Sequence, residues 1–178
     1  YLVMEEIHKE LLERNYGITN YGILKSNDVW DKPLGKAHVS MTDDTSLDKE
    51  LSGTSPAKEY ALGKFQLLMK AVKQNNLKKI EQLIDIEEFA KFSAIEKFYG
   101  TNHSSAGDNL RYLYDFSSGR FRLILRVEGG AILRKNLVDI SLLDDETMDT
   151  HPTNVVLKAI YNNKKFVELR RFYLKAII

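Results

Sequence analysis

The sequence contains no cysteine, which excludes disulfide bonds, thiolate nucleophiles and metal sites with cysteine ligands. This absence does not indicate a compartment, because proteins without cysteine occur on both sides of a membrane. The sequence also lacks any apolar run near the roughly 20 residues that a membrane-spanning helix requires. No transmembrane segment is therefore predicted within this chain.

The sequence has little excess charge of either sign, since 26 lysines and arginines stand against 25 aspartates and glutamates in 178 residues. Bulk electrostatic binding of nucleic acid needs concentrated positive charge, so no nucleic-acid partner is expected. Hydrophobic residues make up 43% of the chain and charged residues 29%, a composition that favours a single folded domain over a disordered chain. The start at Tyr1, without an initiator methionine or signal-peptide pattern, is interpreted as that of a piece of a longer protein.

Signature motifs of several common enzyme classes are missing as well. The sequence contains no HExxH, GxSxG, GxGxxG or Walker A motif. The four histidines are too scattered to form a helical metal-binding pair, and we interpret each as an ordinary polar residue: His8, His38, His103 and His151. Motif spacing alone therefore assigns no chemistry to the chain.

Short strand patterns and longer helical patterns follow one another in blocks, which predicts an α+β domain. Strands are expected at residues 1–4, 21–25, 110–114 and 120–127, with the last two forming a hairpin around a turn at residues 115–119. Helices are expected at residues 5–15, 56–75, 77–83 and 86–99, and from about residue 153 onward. Gly17 is expected to end the first helix, and Asp85 with Glu88 resembles a capping box.

Two segments do not follow these patterns. Residues 31–57 contain two of the three prolines and show little periodicity, so we predict a long loop or an inserted segment. Residues 101–109 form a polar stretch between a helix and the hairpin, where functional residues often lie. The pair Asp108-Asn109 at its end is explained equally well as simple turn chemistry.

Three stretches taken together resemble the CotH kinase family of spore-coat and secreted proteins. The first covers residues 1–15 and 22–25 and resembles the family's apolar strand, Lys-Glu-Leu-Leu-Glu helix and Ile-Leu-Lys strand. The second, residues 84–96, is similar to the family's D-V-D-x-F-A-x-Y-x-A-I helix. The third, residues 103–121, is similar to the family's H…N-x-R-F-Y strand and hairpin. The order and spacing hold across nearly the whole chain.

The resemblance implies an atypical protein-kinase-like fold, with a mostly helical lobe and a β-hairpin. Residues 1–178 would form one partial CotH-like domain, with the family's N-terminal strands outside this chain. It further implies ATP and Mg²⁺ as cofactors and phosphoryl transfer to serine or threonine of a protein substrate, or of a surface or coat protein. The implied location is secreted, at the cell surface or in the spore coat of a bacterium.

The resemblance also assigns roles to individual residues. Lys25 matches the strand lysine that contacts phosphate, and Asn109 matches the loop asparagine that ligates Mg²⁺. Ser104 stands where the family has its catalytic aspartate, so His103 or Asp108 is assigned to orienting the acceptor hydroxyl. The family's second metal aspartate is missing from residues 125–129, and Glu128 becomes the candidate ligand if the register shifts by one.

These departures leave three functions open. The first is an active CotH-type kinase that uses the residues named above. The second is a pseudokinase, a non-catalytic binding module of the surface, spore coat or an adhesion structure, which Ser104 and the missing aspartate favour. The third is a structural α+β domain unrelated to this family.

Overall fold

The computed structural model describes residues 12–14, 17–26, 45–47, 55–99, 110–125, 155–161 and 163–177. Within these ranges the strands are β1 (Tyr21–Ser26), β2 (Thr45–Leu47), β3 (Arg111–Asp115) and β4 (Arg120–Leu123). The named helices are α1 (Ser55–Lys73), α2 (Leu77–Leu83), α3 (Ile86–Tyr99), α4 (Val155–Ile160) and α5 (Lys164–Ile177). Residues 12–14 are also helical. This content is that of an α+β domain, as the sequence predicts.

The four strands form one antiparallel sheet in the order β2-β1-β3-β4. β3 is central, with Tyr112 opposite Leu24 of β1 on one side and Leu123 of β4 on the other. The outer edge of β4 is extended by Ile84, which makes a parallel bridge to Phe121. This contact attaches the connection between α2 and α3 to the sheet and covers part of an edge that would otherwise remain open.

The helices cover one face of the sheet and form the larger hydrophobic core. Because successive residues of a strand face opposite sides, Leu24, Tyr112 and Phe121 share this face. Phe65 of α1 and Phe89 of α3 pack against Tyr112, with ring centroids 5.0 Å and 6.4 Å away. Val156 and Ile160 of α4 and Phe166 of α5 belong to the same core.

The other face of the sheet carries a smaller core. Ile23, Leu113 and Ile124 on this face are buried together with Leu12 and Ile18 of the N-terminal segment. Every residue of β3 is therefore buried, and the apolar alternation at positions 110, 112 and 114 marks only one of its two packed faces. The second face was not evident from the sequence because it includes charged residues at both ends of β3.

Most predicted elements agree with the structure in the described residues, although β4 ends at Leu123 and does not continue to Leu125. The strand at residues 21–25, the three helices between residues 55 and 99, the hairpin and the C-terminal helices are confirmed. The predicted strand at residues 1–4 and most of the first helix lie outside the described residues. Within residues 31–57, the short strand β2 was not predicted, because its three residues are too few to show periodicity.

The predicted helix ends are observed, with one difference. Asp85 Oδ1 accepts a hydrogen bond from the backbone N–H of Glu88 at 3.3 Å and so caps α3. The reciprocal bond of a capping box is absent from this cap, because the Asp85 N–H donates to the Phe121 carbonyl at 2.8 Å. Gly17 has φ +63°, and its N–H donates to the Glu13 carbonyl at 3.0 Å, as expected of a C-terminal glycine.

Two glycines near the contact between α1 and β1 differ in the space around them. A Cβ atom added at Gly22 would lie 3.1 Å from Cβ of Ala61, so this glycine lets α1 approach the sheet closely. A Cβ atom added at Gly63, in the interior of α1, would meet nothing within 4 Å. Gly63 therefore carries the conformational cost of glycine in a helix without any steric requirement for it.

We expect Gly63→Ala to raise the free energy of unfolding by about 0.4–1 kcal/mol, because alanine reduces the entropy of the unfolded chain. Urea denaturation followed by circular dichroism measures this change. Gly22→Ala is the matched control and should give no such gain, since its methyl group would press against Ala61. A loss of stability in Gly63→Ala would contradict the expectation.

Candidate functional site

Three strand ends meet at one end of the sheet, where β1 and β4 end and β3 begins. Lys25 of β1 is directly opposite Arg111, the first residue of β3. The N–H of Ile124, just after β4, donates to the Arg111 carbonyl at 3.1 Å. We call this region the β3 entry, defined by Lys25, Arg111 and Ile124.

Lys25, the residue assigned to phosphate, lies on β1 at the β3 entry. Its backbone position is between Ser46 of β2 and Arg111 of β3. The Ile-Leu-Lys segment is a strand as expected, because Ile23 and Leu24 each bury a side chain on opposite faces of the sheet. The backbone that leads to residue 25 is thus fixed by the larger core on one face of the sheet and by the smaller core on the other.

The other candidate residues lie outside the described residues: His103, Asp108, Asn109 and Glu128. The same holds for Ser104, at the position of the family's catalytic aspartate. In the chain, Asn109 directly precedes Leu110, and Glu128 follows Leu125 by three residues. Their assigned roles remain predictions.

Arg111 is a residue of the β3 entry that the sequence reasoning did not single out. Its side chain is buried, with 6% of its surface exposed, and its Nη1 donates to the Leu110 carbonyl at 3.1 Å. The sequence offered one signal. Arg111 is two residues before Leu113, so both are expected on the face of β3 opposite to the face that carries Tyr112 and Tyr114.

A second charged cluster links α3 to the hairpin. Arg122 Nη2 lies 3.2 Å from Asp115 Oδ2, and Arg122 Nε lies 3.7 Å from Asp85 Oδ2. Asp115 also accepts a hydrogen bond from the Ser117 N–H at 2.9 Å, which fixes the turn of the hairpin. Arg122 thereby joins the N-cap of α3 to both strands of the hairpin, a structural role for Asp85 and Asp115.

A third cluster, on the surface between α3 and α5, shows shifted pKa values. The Tyr173 hydroxyl donates to Glu87 Oε1, and Lys91 Nζ lies 3.3 Å from Glu87 and 2.8 Å from Glu88. The Tyr173 hydrogen bond and then Lys91 lower the pKa of Glu87, while the Glu88 hydrogen bond raises the pKa of Lys91. These contacts between side chains of two helices are accounted for by helix packing.

We expect Tyr173→Phe to raise the pKa of Glu87 towards its ordinary value, because the largest cause of its depression is removed. A depressed carboxyl pKa stabilises the fold above the unfolded pKa, and this contribution is lost as the pH falls through the folded pKa. In the variant this contribution should be smaller, and its loss should be complete at a higher pH. Carboxyl-carbon NMR titration measures the change, and Tyr60→Phe on α1 should leave the pKa of Glu87 unchanged.

Two kinds of feature are absent from the part of the chain that the structure describes. No group of three or more His, Cys, Asp or Glu side chains in these ranges is arranged to hold a metal ion. None of the described helices combines the length and apolar character needed to cross a membrane. The two candidate metal ligands, Asn109 and Glu128, lie outside this part of the chain.

Comparisons with known proteins identify the family. No match was found among curated proteins, and none was found among solved structures. A family model described as CotH kinase protein matches residues 1–127, which is more than two-thirds of the chain. The matched region includes β1 with Lys25, helices α1 to α3 and the whole β3–β4 hairpin. The chain therefore belongs to the CotH kinase family.

Proposed function

We propose that this chain is a CotH-type protein-kinase-like domain that binds ATP with Mg²⁺ and transfers a phosphoryl group to serine or threonine of a secreted or surface protein. The observation that carries this proposal is the β3 entry, where Lys25, the lysine that the family resemblance assigns to phosphate, lies directly opposite an arginine. Phosphoryl transfer depends mainly on positioning and on neutralising phosphate charge. Two cationic positions side by side suit that task.

Chain connectivity supports the assignment of the remaining residues to the same region. Consecutive Cα atoms are about 3.8 Å apart, so Asn109 is one such step from Leu110 at the start of β3. Glu128 is three such steps from Leu125, which follows β4. The antiparallel order of β1, β3 and β4 brings Lys25 and the described residues nearest in the chain to the other two candidates, Leu110 and Leu125, to one end of the sheet.

Two residues of the β3 entry, Lys25 and Arg111, are cationic types that bind phosphate and so fit the phosphate part of the proposed cofactor. Asn109 and Glu128 carry the oxygen atoms that Mg²⁺ prefers, and they would hold it. A Mg²⁺ ion held there would supply charge neutralisation for the phosphates. His103 or Asp108 would orient the acceptor hydroxyl, and Lys25 would hold phosphate.

The proposed location and partners follow from the family. CotH proteins are associated with the spore coat, and we propose a secreted, surface or spore-coat location with a protein as the substrate or binding partner. The arrangement of the domain as an atypical two-lobed kinase fold is part of the same proposal.

We expect Mg-ATP to raise the melting temperature of the chain, because a ligand at 100 times its Kd stabilises the native state by about 2.7 kcal/mol. Lys25→Ala should weaken the shift, while Lys73→Ala, at the exposed end of α1, should not. A thermal-shift titration measures binding, and transfer of radiolabelled phosphate to a serine-rich protein measures chemistry. The absence of any shift with the unmodified chain would overturn the proposal.

One observation favours a second candidate, a non-catalytic binding module on the same fold. Ser104 replaces the catalytic aspartate, and residues 125–129 lack the second metal aspartate. Loss of both carboxylates removes substrate orientation and much of the charge that holds Mg²⁺. Mg-ATP binding without detectable phosphoryl transfer, together with unchanged partner binding in Lys25→Ala, would support this candidate over the active kinase.

A further inference from the structure

The outward face of α1 exposes two large apolar side chains. Tyr60 is 52% exposed and Leu67 is 46% exposed. Because they are seven residues apart in one helix, both lie on the same side of α1. Large apolar side chains of a folded domain are usually buried, so a pair that is exposed together on one helix face is typical of a contact surface.

Gly63 lies between these two residues and opens a hole in the face. When two helices pack, residues i, i+3, i+4 and i+7 of one helix surround a hole that receives a side chain of the other. On α1 these positions are Tyr60, Gly63, Lys64 and Leu67, which we call the Gly63 hole. A Cβ atom added at Gly63 would meet nothing within 4 Å, so this side of the hole is open. The glycine costs helix stability within the chain, but it leaves the space that a partner's side chain would need.

Tyr60, at one end of the Gly63 hole, is held in place by its neighbours. Its ring packs against the rings of Tyr114 and Phe116, with centroids 6.0 Å and 5.9 Å away. The Lys64 ammonium group lies 5.1 Å from the centre of the Tyr60 ring. An aromatic side chain that is already fixed loses little conformational entropy on binding, so Tyr60 suits the role of an interface anchor.

The charge around the Gly63 hole indicates the chemistry of the partner. Lys64 and Lys70 lie on this side of α1, and the helix as a whole carries four lysines and one glutamate, in a chain with a net charge of only +1. A second copy of the chain does not fit, because a two-fold contact centred on the hole would place Lys64 of one copy against Lys64 of the other. Carboxylates of a different protein would complement these lysines.

We propose that the Gly63 hole and the lysines beside it dock an acidic amphipathic helix of a protein partner. An apolar side chain of that helix enters the hole between Tyr60 and Leu67, and its carboxylates face Lys64 and Lys70. Contact with one helix face is small beside the roughly 800 Å² per partner of a standard interface, so the complex is transient. The docking does not depend on the proposed nucleotide site.

Fluorescence anisotropy with the full chain, in the absence of ATP, tests the docking with three labelled helical peptides. The acidic peptide has one leucine in each of three heptads and glutamate or alanine elsewhere. The second peptide replaces each leucine by alanine, and the third replaces each glutamate by lysine. The acidic peptide should bind about tenfold more tightly than either of the others, because it alone offers both the apolar side chain and the complementary charge.

Variants of α1 locate the binding. Gly63→Leu fills the hole and should lower the affinity for the acidic peptide by about tenfold, while position 63 has the space to accept the side chain. Ala176→Leu is the matched control, since it adds a leucine at an exposed position of α5 and should leave the affinity unchanged. The double variant Lys64→Glu with Lys70→Glu should reverse the preference and favour the basic peptide. This reversal decides the question alone if circular dichroism shows that Gly63→Leu does not fold.

Several results would overturn the proposal. They are the absence of binding at about 1 mM acidic peptide, equal affinity for the three peptides, and unchanged affinity in folded Gly63→Leu. A dimer of the unmodified chain in sedimentation, abolished by Gly63→Leu, would assign the face to a second copy. Binding to anionic vesicles that Gly63→Leu strengthens would assign it to a membrane. Because every titration omits ATP, failure of the proposed nucleotide site would leave these results unchanged.

Discussion

Phe121→Ala is expected to lower the free energy of unfolding by about 3–5 kcal/mol, the range for truncating a fully buried phenylalanine. The Phe121 ring is completely buried, 4.8 Å from the Tyr114 ring and 5.8 Å from the Phe65 ring between centroids. Its loss leaves a cavity where β4, β3 and α1 meet. Because the rings around it are large and themselves packed, the site has little freedom to collapse.

Guanidinium denaturation followed by circular dichroism measures this loss. The matched control is Phe172→Ala, since Phe172 of α5 is 64% exposed and contacts the ring of Tyr173. Truncation of such a surface side chain should change the free energy of unfolding by no more than about 0.5 kcal/mol. Equal losses in the two variants would show that Phe121 is not a centre of the core.

Arg122→Met is expected to cost about 2–4 kcal/mol, because it leaves the buried carboxylate of Asp115 without its cationic partner. Only 4% of Asp115 is exposed, and the Ser117 N–H that remains bonded to it cannot compensate the full charge. Asp85 loses its ion pair in the same variant. The methionine keeps most of the buried aliphatic volume, so the change reports mainly on charge.

A double-mutant cycle with Asp115→Asn isolates the pair, and we expect a coupling energy of about 1–3 kcal/mol between the two positions. Arg120→Met is the control, because Arg120 is exposed on the same strand opposite Asp115. Its effect should stay within about 0.5 kcal/mol. Additive losses in Arg122→Met and Asp115→Asn would show that the 3.2 Å contact does not stabilise the fold.

The two clusters of charge on the sheet have different consequences for function. Arg122 holds the hairpin against the start of α3, whose other end leads into residues 100–109, and thus supports the region from which Asp108 and Asn109 come. Arg111 lies at the β3 entry itself, beside Lys25. Substitution of Arg122 should therefore change the stability of this part of the fold.

Local sequence pattern was sufficient where one side chain or one period decides the structure. The stripe of apolar residues on α1, the aspartate that caps α3 and the glycine that ends the first helix all act within a few residues of themselves. The hairpin is equally local, since Asp115 bonds to Ser117 and Gly119 has φ +68°. Each of these features could be predicted because its physical cause lies within one turn of chain.

Contacts between distant segments were beyond such reasoning. The three residues of β2 have no readable period and become a strand only because β1 offers free hydrogen-bonding groups at its edge. The second hydrogen bond of the predicted capping box does not form, because the Asp85 N–H donates to the carbonyl of Phe121, 36 residues later in the chain. Arg111 was matched only as part of the N-x-R-F-Y motif and given no role of its own, because its neighbour Lys25 is 86 positions away in sequence.

The sequence by itself determined the family, the α+β class and the positions of most described helices and strands, because apolar periodicity and motif order are written along the chain. Only the tertiary structure decided that both faces of the sheet are covered, that Arg122 ties α3 to the hairpin, and that Lys25 and Arg111 are neighbours. The physical reason is that strand register depends on the packing of both faces at once, which no local stretch of sequence encodes.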